Sequence, residues 1–108
     1  MTKKELQQFT NTICLENYEE MMKEFMYSTN KFNLRTCNAK VYETPSYYVL
    51  RSYNTIVAFI CKETDTLYDV LRYVYGYTST SAQHISKFEK DYCAGKWNCK
   101  MRLTYRAV

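Results

Sequence analysis

Glycine is nearly missing from this chain, with two in 108 residues, and proline and histidine occur once each. Two glycines cannot build the loops that cradle phosphates, and no nucleophile elbow, calcium loop or HExxH pair is present. The same scarcity leaves no stretch that reads as a long flexible linker. No apolar run approaches the length of a membrane span. Nor does an apolar leader follow Met1-Thr2-Lys3-Lys4. Acids are missing from one region only. Residues 1–92 carry eleven Lys/Arg and eleven Asp/Glu, whereas residues 93–108 carry Lys96, Lys100, Arg102 and Arg106 and no acid. The net charge of +4 therefore belongs wholly to the C-terminal end.

What is abundant is tyrosine, twelve residues, within a hydrophobic share of 46%. Such a chain is richer in amphipathic surface than in oily core, and its aromatic content argues against disorder. The length suits one domain spanning 1–108, with a helical part over 1–30 and a sheet-and-helix part over 37–108. Five cysteines, Cys14, Cys37, Cys61, Cys93 and Cys99, cannot all pair. Without an export signal they read as reduced thiols in a cytoplasm. Cys14 and Cys61 read as small buried hydrophobes. A zinc site from His84, Cys93, Cys99 and one further residue fits no usual ligand spacing, so no metal and no cofactor is expected.

Periodicity predicts the elements. Thr2-Lys3-Lys4-Glu5 has the form of a capping box, and Leu6, Phe9, Ile13 and Cys14 follow at helical spacing. The pattern restarts near Asn17 with Tyr18, Met21, Met22, Phe25 and Met26, opposite Glu16, Glu19, Glu20 and Glu24. A helical hairpin, or one bent helix, is expected. Residues 39–43, 47–53 and 56–61 read as strands, the last covered on both faces, with a turn at Thr44-Pro45-Ser46. Residues 67–75 fit a helix by spacing and a strand by composition, and are read as strand. Gly76 breaks that segment. A helix capped within Thr78–Ser81 then turns Ala82, Ile85, Phe88, Glu89 and Tyr92 inward, and Ala94-Gly95 ends it. In the last strand Met101, Leu103 and Tyr105 alternate with a basic outer face. The expected fold is α+β: an N-terminal helical hairpin, a mainly antiparallel sheet of four to five strands, and one C-terminal helix before a last basic strand.

Three surfaces suggest themselves for binding, and nothing suggests catalysis. Glu63, Asp65 and Asp69 do not make a convincing acid–base pair, and nothing in the sequence sets a thiol beside His84. An acidic helix face (Glu16, Glu19, Glu20, Glu24) and the tyrosines Tyr42, Tyr47 and Tyr53 could meet a protein partner. Lys96, Trp97, Lys100, Arg102 and Arg106 could combine phosphate contacts with base stacking. Tyr77, Thr78, Ser79, Thr80, Ser81 and His84 could hold a nucleotide or other anion at a helix start, although ordinary capping explains the hydroxyls as well.

Two blocks, Ser52-Tyr53-Asn54-Thr55-Ile56-Val57-Ala58-Phe59-Ile60 and Tyr75-Gly76-Tyr77 through Phe88, resemble a family of small uncharacterised proteins of phages and mobile elements of Firmicutes. That family's pattern is a Ser-Tyr-x-Thr strand followed by Tyr-Ser-x-Thr-Thr-x-x-His-Ile-x-x-Phe. Here Thr78 stands for the serine and Ser81 for a threonine. The resemblance covers about residues 50–92 and implies a genetic setting, not a mechanism. In such a setting a small protein without catalytic motifs is expected to inhibit a bacterial defence system, as anti-CRISPR proteins do, by binding a host defence protein or nucleoprotein complex.

Overall fold

The computed structural model describes residues 2–26, 30–33, 39–74, 79–93 and 99–106. In chain order they form α1 (Lys3–Phe25), β1 (Asn30–Asn33), β2 (Ala39–Glu43), β3 (Tyr47–Ser52), β4 (Thr55–Cys61), β5 (Thr66–Asp69), α2 (Leu71–Val74), α3 (Ser79–Tyr92) and β6 (Met101–Thr104). The strands make one six-stranded sheet in the order β1-β2-β3-β4-β5-β6. Its pairings are antiparallel up to β5, whereas β6 joins β5 in parallel after the crossover through α2 and α3. The α+β class is the one the sequence predicts, with a helix first and a strand last.

The sheet is covered on both sides. Cys14 and Met21 of α1 pack with Tyr47, Val49, Phe59, Tyr68 and Val70 on one face. Ile85 and Phe88 of α3 pack with Val41, Leu50, Ala58, Ile60 and Leu67 on the other. That is why β4 reads as apolar throughout. Leu50 pairs with Ala58 but Arg51 with Ile56, so Val57 is the extra residue of a bulge. A bulge re-aims side chains, and Val57 and Ala58 accordingly share the α3-side cluster.

The structure corrects the sequence reading in five places. The helical hairpin is one uninterrupted helix of 23 residues, about 34 Å long at 1.5 Å per residue. No glycine or proline interrupts it, and at the supposed restart the Asn17 side-chain amide donates to the Ile13 carbonyl at 2.9 Å, one turn back along the helix. The capping box at Thr2 and Glu5 forms as expected. Leu6 and Phe9 are exposed and not part of the core. The sheet gains β1, which periodicity did not reveal. Residues 67–75 divide: the strand stops at Asp69, whose carboxylate accepts the Leu71 N–H at 3.1 Å, and one helical turn follows. Last, Cys93 and Cys99 are joined in a disulfide, with Cα atoms 4.9 Å apart, where free thiols were expected.

Cys14 fits its expected role as a small hydrophobe, since burial first and the Asp69 charge second push its thiol up to about 11. Cys61 is only partly buried. Among the described residues no helix is long and apolar enough to cross a membrane.

Candidate functional site

The two blocks that carry the sequence resemblance meet in space. Ser52 ends β3, and its hydroxyl lies 3.0 Å from the Ser81 hydroxyl and 2.8 Å from His84 Nδ1, both on the first turns of α3. Tyr53 follows in the β3–β4 turn with φ at 56°, and its ring stands 6.0 Å from the imidazole. That backbone region is costly for a bulky residue, about 1–2 kcal/mol. Ile85 and Phe88 then anchor the helix in the core. Burial pushes the His84 pKa below its usual value, so the neutral ring is favoured. With Nδ1 unprotonated, Ser52 donates to it and accepts from Ser81.

A serine beside a histidine invites a catalytic reading, but Ser52 and Ser81 are both sealed from solvent. In this geometry the cluster fastens the β3–β4 turn to the start of α3. The same packing removes Ser81 from the anion site expected at the helix start. Ser79 and Thr80 remain exposed there, while Tyr77 and Thr78 lie outside the described residues.

Lys100, Arg102 and Arg106 of the basic C-terminal segment are all exposed, but Arg102 is also committed to an ion pair. Arg102 reaches toward α3 and donates to Asp69 and Glu89, each at 3.0 Å. Both carboxylates are nearly buried, so one guanidinium, itself 40% exposed, neutralises two acids that little water reaches. Lys100 is exposed, and its backbone N–H caps the Asp65 carboxylate. Lys96 and Trp97 lie outside the described residues. Around Arg102 the structure forms a cleft of about 460 Å³, lined by Asp69, Leu71, Arg72, Ala82, Ser86, Arg102, Thr104 and Arg106. Arg72 was missed by sequence reasoning, because it becomes part of the cleft only through the helical turn that replaces the expected strand. Three guanidinium groups beside two hydroxyls suit a ligand with a carboxylate or phosphate.

The acidic face of α1 divides as well. Glu16, Glu19 and Glu20 stand exposed, and Glu20 pairs with Lys23 at 3.1 Å. Glu24 instead turns to the sheet and accepts from the Thr44 hydroxyl at 3.1 Å and the Ser46 N–H at 2.9 Å, holding the β2–β3 turn. Of the tyrosines offered for a partner, Tyr53 is on the surface and Tyr42 is half-buried against Phe25. Tyr47 is in the core, its ring edge-on to Phe59, and has no contact face to give.

The inner stripe of α1 runs Gln7, Asn11, Cys14, Tyr18, Met21, Phe25, and its first two members are polar. The Gln7 amide donates to the Thr104 carbonyl at 3.0 Å. Asn11 donates to the Arg106 carbonyl at 2.6 Å and accepts its N–H at 3.0 Å. The opposite stripe carries Leu6, Phe9, Glu16, Glu20 and Lys23, while Ile13 between them is partly buried against the core. Leu6 is 55% and Phe9 58% exposed, and Met22 and Met26 lie exposed farther along.

No curated protein and no solved structure matches this chain significantly. Residues 13–104 match the profile of a family of unknown function, DUF8033, which takes in the sheet, α3 and most of α1. The chain belongs to that family.

Proposed function

We propose that the protein acts by stoichiometric binding of another protein and performs no catalysis, with the outer stripe of α1 as its docking surface. The observation that carries this is the exposure of Leu6 and Phe9 on a helix whose inner face is already satisfied. Large apolar side chains grouped on a surface mark interaction sites more often than chance exposure does. Glu16 and Glu20 continue the stripe. The partner that complements it has an apolar groove with a basic rim. In the phage or mobile-element setting implied by the sequence resemblance, that partner is a component of a bacterial defence system such as CRISPR–Cas, and binding inhibits it.

The test is affinity capture from a bacterial host lysate together with a phage-defence assay, comparing the wild type with the Leu6→Asp/Phe9→Asp double variant. Capture of a defence component and relief of defence by the wild type alone is the expected result. Equal behaviour of the two proteins, or no effect of either on defence, would sink the reading.

A second reading is favoured by the arginine cleft. There the ligand is a nucleic acid or a small anion, met by Arg72 and Arg106 at a cleft whose third guanidinium, Arg102, is held by Asp69 and Glu89. Nucleic-acid binding of this kind weakens steeply as salt rises. Indifference to DNA and RNA at low salt, together with a melting temperature unmoved by nucleotides, removes it.

A further inference from the structure

The disulfide does not lie alone. The Cys93 and Cys99 sulfurs and a carboxylate oxygen of Asp65 all fall within 4.8 Å of one another, and all three residues are buried. They come from three places: the β4–β5 turn, the C-terminal end of α3, and the approach to β6. Sequence spacing could not show this group, because 28 residues separate Asp65 from Cys93. His84, the residue that sequence reasoning would have added to the thiols, is occupied by Ser52.

Asp65 is the anomaly. It is only 8% exposed and holds φ at 52°, and its carboxylate accepts the Lys100 N–H at 3.1 Å. Among the described residues no lysine or arginine pairs with it. Arg102 has already been taken by Asp69 and Glu89. Buried carboxylates are ordinarily paired with a cation or bound to a metal. A disulfide brings no positive charge to this one.

We propose that Asp65, Cys93 and Cys99 form a thiol-gated site for a zinc-class divalent cation, shut by the disulfide when oxidised and open to metal when reduced. Two equivalents of a small thiol reduce the bond; they leave as their own disulfide, and Cys93 and Cys99 become thiols. Binding of the cation then releases both thiol protons to water, and two thiolates and one carboxylate face the ion. Tetrahedral zinc spaces its sulfur and oxygen ligands about 3.5–3.8 Å apart, within the reach of this group. Three protein ligands leave a fourth position for water. Glu89 is a positioning residue: its carboxylate accepts the Cys99 N–H at 3.4 Å while holding Arg102. In either state the site ties the end of α3 to β6, so the crossover that makes the parallel pairing stays closed.

The test uses the full chain, reduced with a phosphine that does not bind metal, and titrated with Co²⁺ without air. One equivalent of Co²⁺ is expected to give thiolate-to-cobalt charge-transfer and ligand-field absorption that Zn²⁺ abolishes, and the air-oxidised chain is expected to give none. Asp65→Asn should weaken Co²⁺ binding at least about tenfold, and Cys99→Ser should remove the charge-transfer band. Cys37→Ser and Cys61→Ser should leave it intact. The proposal is overturned if the reduced wild type shows no band, if the band survives Cys99→Ser, or if Asp65→Asn binds like the wild type. Circular dichroism reports whether each variant folds; where Cys99→Ser does not, the reduced and oxidised wild type together with Asp65→Asn decide.

Discussion

Helices α1 and α3 cover opposite faces of one sheet, yet they do so by different physics. Helix α3 buries Ile85 and Phe88 and turns Gln83, Ser86 and Lys90 outward, the ordinary amphipathic arrangement. Helix α1 follows that rule only in its second half. In its first half Gln7 and Asn11 face inward and Leu6 and Phe9 face water. The reason lies in what each helix covers. Helix α3 meets apolar side chains at the middle of the sheet. The start of α1 meets β6, an edge strand, and the residues that follow it. Backbone carbonyls and an N–H there need partners, and primary amides supply both donor and acceptor. Amides can therefore bury a helix face as well as hydrocarbon can, provided that an edge offers backbone to bond.

Strand β6 is where the two modes meet, and the largest expected effect comes from breaking its link to α3. Replacing Arg102 with methionine leaves the Asp69 and Glu89 carboxylates buried without a cation. Loss of one partner from a fully buried ion pair typically costs about 3–5 kcal/mol. Because Arg102 is itself 40% exposed, the loss here should lie at or below the low end of that range. The urea midpoint of Arg102→Met should fall accordingly with little change in the slope of the transition. A midpoint equal to the wild type would mean that water reaches both acids.

The link to α1 should be weaker. Asn11→Leu removes two hydrogen bonds to Arg106 and leaves that residue's carbonyl and N–H against an apolar side chain. The expected loss is about 1–3 kcal/mol, measured by the same unfolding titration. Amide exchange adds a second readout, since protection should drop at Arg106 before it drops in α3. A gain in stability would show that the helix prefers hydrocarbon at this position after all.

The same contrast explains what could be read from the sequence. Strands β2 to β4, the N-cap of α1 and the inner face of α3 were legible because local chemistry decides them. Alternation, a capping box and a 3.6-residue period need no distant partner. The inversion of α1 was not legible, because Leu6 and Phe9 keep helical spacing with Ile13 whichever side they face. Only the position of Arg106, just past β6 and 95 residues away, makes Asn11 an inside residue. Strand Thr66–Asp69 was blurred with the turn after it because Asp69 ends the strand through its own side chain. Of the candidate sites, the block from Ser52 to Phe88 was visible as pattern, whereas the cleft at Arg72 and the group at Asp65 required the fold.

At the start of α3 the comparison can be sharpened with pH. Burial lowers the His84 pKa, so in the folded protein the ring resists protonation more than it does in the unfolded chain. Stability is then fully present above the unfolded value, near 6.5, and falls as pH drops below it, until the folded pKa is passed. Protonation also makes Nδ1 a donor and reverses the hydrogen bonds through Ser52 and Ser81. The melting temperature should decline from pH 7.5 to 5.5 in the wild type, and His84→Gln should flatten that decline. Helix α1 has no histidine, so variants there should keep the slope. An unchanged slope in His84→Gln would assign the pH effect to other groups.

The smallest expected effect on stability is the most telling about α1. Introducing aspartate at Leu6 and Phe9 together adds two charges to a helix of 23 residues, yet both side chains already stand more than half in water. Surface substitutions of this kind usually stay within about 0.5 kcal/mol each. Thermal unfolding of Leu6→Asp/Phe9→Asp should therefore track the wild type closely, whereas Ile85→Asp, the same change on the inner stripe of α3, should abolish folding. A large loss from the α1 double variant would place Leu6 and Phe9 in the fold's own packing and remove the outer stripe as a docking surface. Retained stability leaves two apolar side chains that folding does not use, which is the condition the proposed docking surface requires.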